Sequence, residues 1–350
     1  MENQFTPAYY QIKQDIKEKI ASGTLKPGEL LPGRIRLAEE YGCSWGTLNR
    51  AVNELILEGV LTAQKGKGTF VAHSEVVPVQ FVHDPVKVWV CRSFPSVYAT
   101  ISELMDGLRS EAHRRGRGIQ FIDNGADGNL PADLNGYIVV VPSDQQYEYL
   151  VNAWEQGQRF VVLNSDFNNA PFVSVNADIF NASLQVVQYL ISQGHQHIGL
   201  LGLRKGFANY RHRKEAYIQA YKNHNLPYST EWFVESPEEH LDAKDLFSDW
   251  FDRHPECTAV YAADYTSAVA ILEALAERGI PFPEKISLFA SGHVPFASML
   301  KVSLCTVLQP FYELGRSAMS KLLDEQWDAK TDLKPCKLVY GESVQNIEQV

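Results

Sequence analysis

The sequence predicts a multidomain chain: an N-terminal winged helix-turn-helix of α+β class, followed by a two-lobed α/β body built on parallel sheets. Three observations carry this prediction. Apolar residues recur at helical spacing through the first fifth of the chain, two extended pieces joined by glycines follow, and beyond them short apolar runs alternate with amphipathic helices.

Tyr9, Ile12, Ile16 and Ile20 fall at helical spacing and predict a first helix from Ala8 to Ile20. The segment "SGTLKPGELLP" then breaks the chain with Gly23, Pro27, Gly28 and Pro32. A second helix is expected from Arg34 to Tyr41, with Ile35, Leu37 and Ala38 inward. Gly42 supplies a turn and Ser44 is a natural N-cap. A third helix follows, with Leu48, Val52, Leu55 and Ile56 on its buried side. After Gly59, "VLTAQ" and "GTFVA" flank "KGKG", a hairpin with Lys65, Gly66 and Lys67 at its tip. Helix, helix-turn-helix and basic wing describe a module whose third helix enters the major groove of DNA.

The stretch "HSEVVPVQFVHDPVK" holds two prolines without periodicity and reads as a linker with some extended structure. Beyond it come the strand-like runs "VKVWV", "GIQFI", "YIVVV", "FVVL", "HIGLL", "AVYAA" and "ISLFA". Helices lie between most of them, with inward faces at Ile101, Leu104, Leu108 and Ala112, at Val186, Val187, Leu190 and Ile191, and at Ala268, Val269, Leu272 and Leu275. Near-continuous apolar strands imply sheets covered on both faces, and their alternation with helices implies parallel order. The expected units are residues 1–72 for the winged helix, 73–86 for the linker and 87–350 for the body. Its first lobe is placed at about 87–165 and 305–328 and its second at about 176–300 and 332–350, with a first crossing near Asn164 to Val175.

At 350 residues the chain suits two or three compact units, and an apolar fraction of 45% with a charged fraction of 21% is that of a globular protein. The N-terminus lacks the apolar segment of a secretory signal, and no run approaches the length of a bilayer span. The expected location is therefore the cytoplasm, with no membrane partner. The five cysteines are scattered without metal-binding spacing, so neither a metal nor a disulfide framework is expected. No dinucleotide fingerprint, P-loop, nucleophile elbow or H-E-x-x-H is present, so the expectation is a non-enzyme without a cofactor.

The net charge of -10 is unevenly spread. Residues 1–72 hold nine Lys/Arg against eight Asp/Glu, so the whole negative excess lies in the remainder. A near-neutral module on an acidic body binds phosphates when its cations share one face, while the body's charge suppresses loose sticking.

The motifs "YYQIKQDIKEKIASGTLKPGELLP", "LAEEYGCSWGTLNRAVNELILEGVL" and "GKGTFVA", in that order, resemble the winged-helix domain of the GntR family of bacterial transcription regulators. The motifs "QVVQYLISQGHQHIGLLG", "YRHRKEAYIQAYKNHNLP" and "CTAVYAADYTSAVAILEALAERGIPFPEKISLFASG" resemble the effector-binding core of the LacI family, which is related to periplasmic sugar-binding proteins. "LCTVLQPFYELGRSAMSKLL" looks like that core's return into the first lobe. The pairing of the two modules is similar to the arabinose-repressor group.

The resemblance implies DNA contacts, and this chain departs from the family where they fall. Relatives often carry arginine at the positions here held by Ile35, Trp45 and Asn49, and neutral groups cannot make the bidentate contact of arginine to guanine. Cationic grip is then expected from Arg34, Arg36, Arg50, Lys65 and Lys67, with Ser44 and Thr47 on phosphates or bases. Asn49 suits adenine. Trp45 either touches a thymine methyl or a sugar, or it packs within the domain. Gly46 lets the duplex backbone approach.

In the LacI-type core a small polar ligand lies between the lobes, held by strand-end residues. Arg211 matches the position at which a guanidinium bonds two ligand oxygens, with Arg213 as the alternative. One of these two equally suits a structural ion pair. The family's Asn-Asp pair appears here as Asp264-Tyr265; Asp264 either chelates hydroxyls or caps the next helix. His293 stands where relatives have an acidic turn, as a contact or as a surface histidine. Ser93, Phe94 and Tyr98 follow the first strand, Phe94 as a stacking ring or a core aromatic, and Asn164, Asp166 and Gln309 lie near the crossings.

These residues imply a sequence-specific regulator, acting as a homodimer on double-stranded operator DNA and released when a small monosaccharide binds between the lobes. The alternatives are a nucleoside, purine or sugar-phosphate effector, an activator, and a regulator fused to a pyridoxal enzyme.

Overall fold

The computed structural model describes residues 8–57, 60–64, 68–71, 84–91, 95–122, 130–235, 243–292, 294, 300–328 and 331–347. Backbone proximity divides the chain into Met1–Gln80 and Phe81–Val350.

In the first unit, α1 (Ala8–Ala21), α2 (Arg34–Glu40) and α3 (Trp45–Leu57) precede the antiparallel pair β1 (Leu61–Gln64) and β2 (Gly68–Val71). Ile12 and Ile16 of α1, Leu37 of α2, and Leu48, Val52 and Leu55 of α3 close one small core with Leu61 and Val71. A third extended position joins the hairpin through a bridge between Leu30 and Phe70. The end of α2 is tied to α1 by polar groups: Tyr41 donates to the Asp15 carboxylate, and Lys19 Nζ lies 2.7 Å from the same carboxylate. The bonds from Lys19 and Tyr41 hold Asp15 below the usual carboxylate range, against a smaller opposing effect of burial.

The second unit runs β3 (Val86–Val90), α4 (Pro95–Arg114), β4 (Ile119–Ile122), β5 (Tyr137–Val140), α5 (Tyr147–Glu155), β6 (Phe160–Leu163) and β7 (Val173–Ala177). It continues with α6 (Ile179–Ser192), β8 (Ile198–Leu203), α7 (Ala208–Asn223), β9 (Phe233–Glu235), α8 (Ala243–Arg253), β10 (Ala259–Ala262) and α9 (Tyr265–Glu277). The last elements are β11 (Ser287–Ser291), β12 (Cys305–Leu308), α10 (Phe311–Leu323), β13 (Thr331–Lys334) and β14 (Lys337–Val339).

These strands form two six-stranded sheets, ordered β13-β7-β6-β5-β3-β4 and β14-β12-β11-β10-β8-β9. The first is parallel throughout, and the second is parallel except where β14 pairs antiparallel to β12. The expected two-lobed α/β body with parallel sheets is therefore the observed one. On the first sheet α4 and α10 lie close together because each offers a glycine. A Cβ on Gly107 would sit 2.0 Å from the Tyr312 carbonyl oxygen, and one on Gly315 would sit 2.2 Å from that of Leu104. Backbone thus meets backbone with no side chain between.

The boundaries between the lobes differ from those expected. The stretch from Asn164 to Val175 is not the first crossing, because Val173–Ala177 forms β7 of the first sheet, paired with β6; the chain crosses only after Ala177. Ser174 and Asn176 interrupt the apolar run, so this strand lacks the pattern of its neighbours. Residues 305–308 belong to the second lobe, since β12 lies between β11 and β14, whereas α10 packs in the first. Residues 331–334 join the first sheet beside β7, and the chain crosses again before β14. The expected linker, 73–86, falls outside the described residues except for 84–86, and Val86 already pairs in β3.

Candidate nucleic-acid interface and effector cleft

Helix α3 begins at a working cap. Ser44 Oγ accepts the Thr47 amide at 3.2 Å and lies 2.8 Å from Thr47 Oγ1. Trp45, the first residue of the helix, is 57% exposed, although Leu48, Ala51, Val52 and Leu55 behind it are fully buried. Trp45 is therefore not part of the domain's core. Asn49 is half-buried, and its Oδ1 is enclosed with no hydrogen-bond partner among the described residues. Arg36 is exposed on α2 and lies 3.2 Å from Glu40, one turn on; Arg34 is half-buried at the start of that helix. Gly46 and Arg50 have their backbones in α3, while the side chain of Arg50 and all of Lys65, Gly66 and Lys67 fall outside the described residues.

In the second unit the C-terminal end of β10 carries a dense polar network. Asp264 Oδ1 accepts the Ser267 amide, the Ser267 hydroxyl and the Thr266 hydroxyl, each at 2.7 Å. Its Oδ2 accepts Tyr210 Oη at 2.8 Å and Arg204 Nε at 3.2 Å. Both oxygens are thus taken by the protein, and the carboxylate caps α9 instead of lying open to a ligand. Burial pushes this carboxyl up, but the Arg204 guanidinium and the bonds from Ser267 and Thr266 outweigh it and leave it below the usual range. The pair is deep: the Arg204 and Asp264 side chains are 7% and 11% exposed. Arg204 went unnoticed in the sequence, although it directly follows β8 as Asp264 follows β10, and strand ends are where such residues collect.

Arg211 and Arg213 sit in different surroundings, and the ion pair belongs to Arg211. Arg211 is 38% exposed and places Nη1 3.0 and 2.9 Å from the two Asp144 oxygens, which joins α7 of the second lobe to the loop after β5 of the first. Arg213 is 4% exposed; Nη1 donates to the Asn209 carbonyl at 3.1 Å, and the guanidinium lies 5.3 Å from the Tyr210 ring centre. Its Nε has no partner among the described residues. A buried donor without a partner is the group that gains most from a ligand oxygen.

The same stretch of the second lobe meets the first at three further points. The Asp144 amide donates to the Gly206 carbonyl at 2.8 Å, Asn209 Nδ2 to the Asn164 carbonyl at 3.1 Å, and His212 Nε2 to the Asp166 carbonyl at 3.2 Å. Asn164 adopts φ +59, a left-handed conformation that asparagine tolerates. Burial raises the Asp166 carboxyl, with His212 and Arg211 opposing. An open cavity of about 350 Å³ lies against Asp144, Tyr147, Phe167 and Arg211, and one of about 340 Å³ against Asp166, Asp178, His212 and Glu215.

Tyr265, the first residue of α9, is half-buried. Gln309, just past β12, has an enclosed Oε1 without a partner among the described residues. Ser93, Phe94 and His293 lie outside the described residues, as does the side chain of Tyr98 in α4.

Comparison with known proteins matches residues 8–71 to the bacterial regulatory proteins of the gntR family and residues 187–344 to the periplasmic binding protein-like domain. The chain is similar to the arabinose metabolism transcriptional repressor of Geobacillus stearothermophilus, at 24% identity over 340 residues that cover 92% of each chain. It is also similar to the probable HTH-type transcriptional repressor ExuR of Bacillus subtilis, at 24% identity over 64% of this chain and 67% of the relative. Among solved structures, a putative transcriptional regulator LacI from Bacillus cereus subsp. cytotoxis superposes with a TM-score of 0.64 at 20% identity, covering 75% of this chain and 99% of that one. At that identity the likeness establishes a shared fold.

Proposed function

We propose that this chain, which joins a gntR-type DNA-binding domain to a periplasmic-binding-protein-like body, is a transcriptional repressor of sugar metabolism whose hold on its operator is set by a small polar effector. The observation that carries this reading is similarity to an arabinose repressor through both units, at 92% coverage of each chain. Two copies would place two α3 helices on the half-sites of a pseudo-palindrome in the cytoplasm.

The body acts by binding, not by catalysis. Asp264 caps α9, and its ion pair with Arg204 ties the residues that follow β10 and β8. The effector is held by Arg213 Nε and Gln309 Oε1, two enclosed atoms without a partner among the described residues, joined by Asp166. A ligand rich in hydroxyls, a monosaccharide, satisfies a donor and an acceptor at once. It biases the arrangement in which Asp144 meets Arg211 and Asn164 meets Asn209, and the dimer relays that bias to half-site spacing. Coupling of this kind is worth about 1–3 kcal/mol, or roughly 5- to 150-fold in operator affinity.

The test is a mobility shift with the DNA upstream of the protein's own gene, repeated with monosaccharides, uronates, sugar phosphates and nucleosides. Release by one sugar at a concentration that also raises the thermal midpoint supports the reading. A protein that never binds that DNA, or that responds to no member of the panel, refutes it.

A further inference from the structure

The largest exposed side chain described at the start of α3 is apolar, which is unusual for a helix that reads DNA. Trp45 leaves 57% of its surface in water, whereas the hydroxyls expected beside it are turned onto each other, Ser44 Oγ lying 2.8 Å from Thr47 Oγ1. Asn49 is not placed to read adenine. That contact needs both ends of the carboxamide at the base edge, and one end is enclosed here; exchanging its oxygen and nitrogen would still leave one end enclosed. Among the cations whose side chains are described, Arg34 and Arg36 lie on α2 and suit phosphates, contacts that orient a helix without reading sequence.

An indole offers one donor and no acceptor; the rest of it is hydrocarbon and gains from burial against hydrocarbon. In the major groove only thymine presents an apolar group, its 5-methyl. We propose that Trp45 is a specificity-determining residue that reads thymine 5-methyl groups, so that each half-site requires thymine where the indole lands. This rests on the reading of the chain as an operator-binding repressor and names what its recognition helix recognises.

The experiment uses the full-length protein and duplex DNA that it enriches from a randomised pool. Each thymine of the enriched site is replaced singly by uracil, which removes the methyl and nothing else. The expected result is one or two positions per half-site at which uracil weakens binding by about fourfold, the equivalent of about 0.8 kcal/mol for one buried methyl. Trp45→Ala should bind the thymine and uracil forms of those positions equally while keeping the salt dependence of the native protein, because no phosphate contact is lost. If the native protein tolerates uracil at every position, or if Trp45→Ala still discriminates, the proposal is wrong and operator binding stands. If no sequence is enriched, the operator-binding reading falls and takes the proposal with it.

Discussion

Helices α3 and α9 open with the same local grammar, a capping residue followed by an aromatic, Ser44-Trp45 in one and Asp264-Tyr265 in the other. Both caps accept the amide three residues on, from Thr47 and from Ser267. There the likeness ends. Ser44 is exposed and its aromatic stands in water, while Asp264 is enclosed by Arg204, Tyr210 and Thr266 and its aromatic is half-buried. The same cap therefore serves two ends: at α3 it leaves a surface free for a partner, and at α9 it anchors a buried ion pair that stiffens a strand end. Which of the two a cap does depends on what the fold sets beside it.

Substitutions at the caps should separate these roles. The largest effect is expected for Asp264→Ala, which removes the cap and leaves the Arg204 guanidinium buried without its carboxylate. Unpairing a buried ion of this kind costs about 3–5 kcal/mol, read as a lower midpoint in denaturant. Ser44→Ala should cost about 1 kcal/mol, the ordinary loss of a cap, confined to melting of the winged helix. Equal losses at the two sites would erase the distinction between the two caps.

Acidity sharpens it in a second way. The depressed Asp264 carboxyl contributes stability that is fully present above the unfolded value of about 3.8 and is lost as pH falls below that, through the lower folded value. His195 titrates in another window. It is 1% exposed, with Nδ1 at 2.8 Å from Thr258 Oγ1 and Nε2 donating to the Gln345 carbonyl at 3.1 Å. Burial lowers its pKa, the Gln345 bond opposing, so the folded state prefers the neutral ring. Its contribution is complete above the unfolded value of 6.5 and declines as pH falls from there toward the lower folded value. Thermal midpoints should therefore fall in two steps on acidification. His195→Asn should flatten the upper step, and Asp264→Asn the lower.

The smallest effects on stability belong to the exposed groups. Arg211→Gln breaks a contact between two half-exposed side chains and should cost about 0–1 kcal/mol, yet shift the effector concentration that releases DNA. The exchanged pair Asp144→Arg with Arg211→Asp should restore that concentration. Trp45→Ala should cost no more than about 1 kcal/mol, because more than half of the residue stays in water.

Much of this molecule is legible in its sequence. The three helices and hairpin of the winged unit follow from local signals: spacing at Ile12 and Ile16, the Gly42 turn, the Ser44 cap and the glycines of the wing. The body was legible as alternating apolar strands and amphipathic helices. Strands β7 and β13 were not, because "VSVNA" and "TDLK" mix polar and apolar residues and owe their state to the partners they find in the first sheet. At the candidate site the sequence nominated Arg211, Arg213 and Asp264 together, and only their neighbours separated them. Asp144 lies 67 residues from Arg211 and Arg204 lies 60 from Asp264, distances over which no periodicity speaks.

The sequence by itself determined the order of the two units, the class of each and the residues that cap and line their helices, since propensity, capping and hydrophobic period act within a few residues. Tertiary structure decided which charges pair, which aromatic stays in water and where the chain crosses between lobes. Those outcomes depend on side chains meeting across long loops, and burial then sets the strength of each meeting. Trp45 and Asp264 were both readable as candidates. The fold left the first open to a partner and closed the second around Arg204.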